Sequence, residues 1–219
     1  MAQRDERHRL PGPAGLIEAC WEPAQSRDSR LPSHMVAVLA HPHPLYGGTM
    51  DNKVVTTLAR LYRRLGVDAV RFNFRGVGAS AGSHDQGRGE VDDMLAVVRW
   101  ALARVPGSAV LLAGYSFGSA MAAAASEQVA ARHLALVAPP VDRYPYAPHG
   151  DFACPTTIVL GGADDIVAVD EVSAWARQRP RVTNVIVLPE VSHFFHGQLT
   201  ELESELGAAV RAVLAASAS

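Results

Sequence analysis

Along this chain, short runs that are almost wholly apolar alternate with longer segments in which apolar residues recur every three or four positions. The runs are LIEACW (16–21), MVAVLA (35–40), DAVRFNF (68–74), AVLLAG (109–114), LALVAP (134–139), TTIVLGG (156–162) and NVIVLPE (184–190). Most are nearly continuous in Val, Leu, Ile and Ala, as strands buried on both faces of a parallel sheet are. The longer segments predict helices over Asp51–Leu65, Glu90–Arg104, Phe117–Ala131, Asp170–Arg179 and Gly197–Ala216. In the first, Val54, Val55, Leu58, Leu61, Tyr62 and Leu65 follow helical spacing, and Val91, Met94, Leu95, Val98 and Leu102 do so in the second. Strand then helix, repeated, predicts right-handed crossovers and a mostly parallel, doubly wound α/β sheet with helices on both faces. In such sheets chemistry gathers where loops leave the carboxyl ends of the strands.

Bulk properties narrow the field. A chain of 219 residues is long enough for one sizeable core and short for two domains. A hydrophobic share of 48% and a charged share of 19% describe an ordinary globular protein. A formal net charge of −2 offers no broad basic field for nucleic acid or anionic lipid. No apolar run reaches the roughly 20 residues of a membrane span, and MAQRDERHRLPGP lacks the apolar stretch of a secretory signal. Residues 1–13 read as a flexible segment and 14–219 as the single domain, with a surface loop at Gln25–Ser33. Cys20 and Cys154 lack CxxC spacing, which argues for two unpaired thiols and a reduced, cytoplasmic setting. Oligomeric state leaves no trace in the sequence.

Four strand ends carry residues suited to one chemistry. Ser116 lies in GYSFG (114–118), on the turn from AVLLAG into an alanine-rich helix. Gly114 and Gly118 leave room for a tight turn, and the helix N-terminus aims free N–H groups at developing negative charge. Asp164 follows TTIVLGG, with Asp165 as its rival for the role of orienting acid. His193 follows NVIVLPE, with His196 as competitor. The loop HPHPLYGGTMDNKVV begins at His41, after MVAVLA. An oxyanion site needs two donors. The N–H of Phe117 is one candidate, and since Pro42 and Pro44 have none, His43 or Leu45 is the nearest second, with His43 preferred. The candidate substrate-binding residues are His41, Leu45, Tyr46, Tyr115 and Phe194, the two histidines also stiffening their loop. A metal reading of His41 and His43 is opposed by their i, i+2 spacing and the missing carboxylates. Arg75 either binds an acidic substrate or pairs with Glu90 or Asp92 to hold its loop. GRGE lacks the Walker pattern of a phosphate loop.

With these residues in view, the chain resembles the alpha/beta-hydrolase superfamily, and more closely a group of small bacterial hydrolases within it. The resemblance rests on HPHPLYGGTMDNKVV (41–55), RFNFRGVGASAG (71–82), GRGEVDDMLAVVRW (87–100), GYSFG, GGADDIV (161–167) and VSHFF (191–195), and covers about residues 15–215. The order Ser116, Asp164, His193 is the order that fold requires. The resemblance implies a Ser-His-Asp triad at these positions and hydrolysis of an ester-like bond, with no metal or organic cofactor. Between LALVAP and TTIVLGG only PVDRYPYAPHGDFACP (140–155) is available, so no cap domain is expected. An open pocket favours short acyl esters, or an exposed ester on something larger, over long-chain lipids. A thioesterase or an acyltransferase would use the same triad, and a binding protein on a retired hydrolase fold would keep the fold without the turnover.

Overall fold

The apolar runs form one sheet. In the computed structural model, which describes residues 5–25 and 34–216, its strands are β1 (Glu6–Gly12), β2 (Gly15–Glu22), β3 (Met35–Ala40), β4 (Asp68–Phe72), β5 (Ala109–Tyr115), β6 (Ala131–Val137), β7 (Thr156–Gly161) and β8 (Val182–Leu188). Apart from Gln25, the expected loop at 25–33 lies outside the described residues. The strand order is β1-β2-β4-β3-β5-β6-β7-β8, antiparallel from β1 to β4 and parallel from there on. Every residue of β3, β4 and β7 is buried, which is why their sequences run apolar without alternation. The edge strand β8 is half-covered along its length and buries only Leu188.

Five helices cover the two faces: α1 (Lys53–Arg64), α2 (Arg88–Arg104), α3 (Phe117–Ser126), α4 (Val169–Arg177) and α5 (Leu199–Ala216). Helices α1 and α5 close one core, with Leu58 and Tyr62 packed in the same cluster as Leu206 and Val210. Helices α2, α3 and α4 close the other, around Met94, Ala120, Val172 and Phe72. Helix α3 stops at Ser126, five residues short of the expected Ala131. Alanine would favour continuing, but Ala131 is already paired with Val110 as the start of β6. None of the helices is long and apolar enough to cross a membrane, among the described residues.

The N-terminal expectation needs correction. Residues 6–12, read as flexible, form β1 and pair with β2 from Glu6↔Trp21 to Gly12↔Gly15. The Pro-Gly-Pro run that suggested looseness ends this hairpin. The strand is an edge, where Pro11 is tolerated because no further partner needs its N–H. Leu10 is buried, the His8 ring lies 5.0 Å from that of Trp100 on α2, and Arg104 on α2 pairs with Glu6.

The loop after β4 is held by charge as well as by burial of Phe74 and Val77. Asp93 is fully buried and takes Arg75 side-on, with Nε donating to Oδ2 at 3.0 Å and Nη2 to Oδ1 at 2.8 Å. The expected pairing of Arg75 with Glu90 or Asp92 is therefore wrong in its partner. Asp92 is exposed, while Glu90 accepts the N–H groups of Asp85 and Gly87 at 2.8 Å each. Cys20 and Cys154 are buried free thiols, and burial pushes Cys154 up to about 12.

Candidate active site

The carboxyl ends of β3, β5, β7 and β8 meet at one cleft. Ser116 occupies the turn between β5 and α3 with φ 52° and ψ −122°, a left-handed conformation that few non-glycine residues adopt. Two glycines make the turn feasible. A Cβ on Gly114 would stand 2.1 Å from the carbonyl oxygen of Gly118, and one on Gly118 would stand 2.4 Å from that of Ala40. Both approaches are to backbone, which cannot swing aside. Gly118→Ala should therefore cost about 1–3 kcal/mol by overpacking, read as a lower urea midpoint; an unchanged midpoint would refute the close approach.

His193 stands between Ser116 and Asp164. Its Nε2 lies 3.1 Å from Ser116 Oγ and its Nδ1 lies 2.8 Å from Asp164 Oδ2. The carboxylate accepts, so Nδ1 carries the proton and Nε2 faces the serine hydroxyl as an acceptor. The other oxygen of Asp164 accepts the N–H groups of Ile166 and Val167 at 2.9 Å each. Burial acts to raise the Asp164 carboxyl, but His193 and these two N–H donors outweigh it and hold it below its ordinary value. The rivals stand apart, Asp165 and His196 both being exposed. Tyr115 fixes the histidine from below, its hydroxyl donating to the His193 carbonyl at 2.9 Å.

The loop after β3 supplies the opposite wall. Its His43 lies in ring contact with Tyr46 at 4.7 Å and with Phe117 at 4.9 Å. Among the described residues, the backbone N–H groups of His43 and Phe117 have no protein acceptor. That of Leu45 is spent on His43 Nδ1 at 3.2 Å. Burial and then the neighbouring His84 hold His43 below its ordinary value.

Two of the expected substrate-binding residues are not in the cleft. His41 is fully buried, where its Nε2 accepts the Phe74 N–H at 3.0 Å and its Nδ1 donates to the Pro42 carbonyl at 2.6 Å. It braces the ends of β3 and β4 against each other, and burial brings it down to about 4. Leu45 is 69% exposed and lines no part of the cleft, because the short 3₁₀ turn Pro44–Tyr46 points it outward. Tyr46, Tyr115 and Phe194 do line it.

The cleft encloses about 500 Å³. Residues that the sequence reading did not single out complete it: Asn52 at the start of α1, Ile166, and Pro140, Arg143 and Tyr144 after β6. The last three sit where a cap would be inserted, in a segment without helix or strand. No periodicity marks them, so only the sheet order could bring them to the site. Among the described residues, no three His, Cys, Asp or Glu side chains gather in a way that could hold a metal.

Comparison with known proteins agrees with this architecture. A family model described as the alpha/beta hydrolase fold matches residues 45–145. An uncharacterized protein of Rickettsia prowazekii is 36% identical over 205 residues, covering 89% of this chain and 84% of its own. The crystal structure of a serine hydrolase without a lid from Xanthomonas campestris superposes with a TM-score of 0.88 at 34% identity, covering 98% of this chain and 97% of that one. A serine hydrolase homologue from Coxiella burnetii gives 0.86 at 38% identity, with 95% and 99% covered. Their likeness runs nearly end to end, through the strands that position Ser116, Asp164 and His193. This chain belongs to the alpha/beta-hydrolase family.

Proposed function

We propose that the protein is a serine hydrolase that cleaves short-chain or exposed carboxylic esters through an acyl-enzyme. The observation that carries this reading is the unbroken chain from Ser116 Oγ through both nitrogens of His193 to Asp164. Ser116 Oγ attacks the ester carbonyl while His193 Nε2 takes its proton. Asp164 holds the imidazole in the tautomer that can accept, and stabilises it once charged. The N–H groups of Phe117 and His43 receive the oxyanion. His193 then gives its proton to the departing alkoxide, and the alcohol leaves Ser116 acylated. A water molecule, deprotonated by the same nitrogen, attacks the acyl carbonyl, and His193 returns that proton to Ser116 Oγ as the acid is freed. None of these steps calls on a metal or an organic cofactor.

The absence of any folded cap between β6 and β7 among the described residues favours compact acyl groups, since a long chain would leave the cleft into water. The test is a fluorophosphonate probe followed by p-nitrophenyl esters from acetate to decanoate. We expect Ser116-dependent labelling and kcat/KM that stops rising beyond butyrate and stays level to decanoate, as the terminal methylenes gain no burial. Labelling without ester turnover would redirect the reading to thioesters or acyl transfer. Absence of labelling in folded protein would favour a binding role.

A further inference from the structure

The segment after β6 stands where a cap would be, and it is held tightly. Tyr146 is buried, and its hydroxyl lies 2.7 Å from Ser119 Oγ on the first turn of α3, with its ring 5.9 Å from that of Trp175 on α4. The N–H groups of Arg143 and Tyr144 both donate to the Pro140 carbonyl, at 3.0 and 3.3 Å. The turn so anchored places the Tyr144 ring edge-on to Phe117 at 5.4 Å, and sets Arg143 in the wall of the cleft.

Two properties of that wall are chemically selective. Its rings form a continuous aromatic cluster, in which the buried Phe117 backs His43 and Tyr144 and Tyr46 flanks them, with neighbouring centroids 4.7 to 5.4 Å apart. Its charge is one-sided. Among the described residues, Arg143 is the one arginine or lysine lining the cleft and no carboxylate lines it. Asp142 is 62% exposed and approaches the Arg143 guanidinium at 3.6 Å, beyond hydrogen-bond distance, which leaves its donors for a ligand.

We infer that this turn is a specificity element, and that it selects esters whose acyl part carries an aromatic ring bearing an anionic group. The inference rests on the ester-hydrolase reading above. His193 must reach the leaving oxygen, so the alcohol occupies the side of Phe194 and Ile166, which follow the histidine and the aspartate in sequence. The acyl part then faces His43, Phe117 and Tyr144. A planar ring fits there by stacking, and a carboxylate on its far edge meets the forked guanidinium of Arg143.

Four methyl esters separate the two features while keeping the leaving group constant: methyl hydrogen terephthalate, methyl benzoate, methyl hydrogen adipate and methyl hexanoate. We expect kcat/KM to be at least about threefold higher for the anionic than for the neutral member of each pair, the range of a solvent-reached ion pair, and higher for the aromatic than for the aliphatic pair. Arg143→Gln should bring the anionic-to-neutral ratio close to one or below it and leave the aromatic preference standing. Arg177→Gln, which removes an exposed arginine of α4 outside the cleft, should leave both ratios unchanged. An anionic-to-neutral ratio near one in the wild type, or one that Arg143→Gln does not alter, overturns the role of the arginine. An aliphatic preference overturns that of the rings. Fluorophosphonate labelling and p-nitrophenyl acetate turnover run in parallel: if both succeed while the ratios are flat, this inference alone fails, and if both fail, the ester-hydrolase reading fails with it.

Discussion

Ser116→Ala is expected to lower ester turnover by roughly 10⁴- to 10⁶-fold while leaving the fold unchanged, the loss that follows when a group acting in concert with its base is removed. Alanine keeps the Cβ, so the close contacts at Gly114 and Gly118 are untouched. Ser116→Gly should be equally inactive for a different structural outcome. At φ 52° the serine stores strain of about 1–3 kcal/mol, and glycine relieves it at an unfolded-state cost of about 0.5–1 kcal/mol. The glycine variant should therefore unfold later than the alanine variant by about 1 kcal/mol. Equal turnover by wild type and a carefully purified Ser116→Ala protein would sink the acyl-enzyme mechanism. Equal stability of the two variants would sink the strain.

Stability should fall steeply between pH 7.5 and 5, well before any carboxylate in the site is protonated. Burial lowers both His41 and His133 from about 6.5 to about 4. A folded-state value below the unfolded one means that the unfolded chain binds the proton first. The stabilisation is thus complete above about 6.5 and is lost as pH falls toward about 4. At pH 5 each histidine should have given up roughly 2 kcal/mol, about 4 kcal/mol together. His133 has Thr157 Oγ 3.0 Å from its Nε2 and no partner for Nδ1 among the described residues, so nothing there welcomes a second proton. Urea midpoints at the two pH values check this, and His133→Gln should remove about half of the difference. A flat profile would mean that neither ring is held neutral by burial. Asp164 acts in the same direction but in a lower window. Its lowered value makes its contribution present above the ordinary carboxylate range and lost only below it.

Most of the sheet was readable because its strands are covered on both faces. MVAVLA and TTIVLG are buried throughout and show it as unbroken apolar runs. The hairpin strand β1 failed that test because one of its faces meets solvent: Arg7 and Arg9 alternate with His8 and Leu10, and the ion pairs of an edge look like those of a loose terminus. Position just past a strand brought Ser116, Asp164 and His193 into view but left Asp165 and His196 as rivals, and the chain order of the resembled family favoured the first set. His41 was misplaced for the opposite reason. It stands in the right loop, but sequence position does not say whether a ring turns toward the cleft or into the core. Arg143 and Tyr144 lay beyond reach because their place depends on Tyr146 finding Ser119, a contact across 27 residues that no local pattern announces.

The sheet order also ranks the parts of the site by how easily they are lost. Ser116 leaves an interior strand, flanked by β3 and β6. His193 follows β8, which has a neighbour on one side only and is half-covered along its length. Regions with few buried contacts open at free energies below that of global unfolding. Fraying of that edge would carry the base away from a serine whose surroundings remain intact. Such fraying would leave the core folded and the serine without its base, so activity would be lost before the domain unfolds.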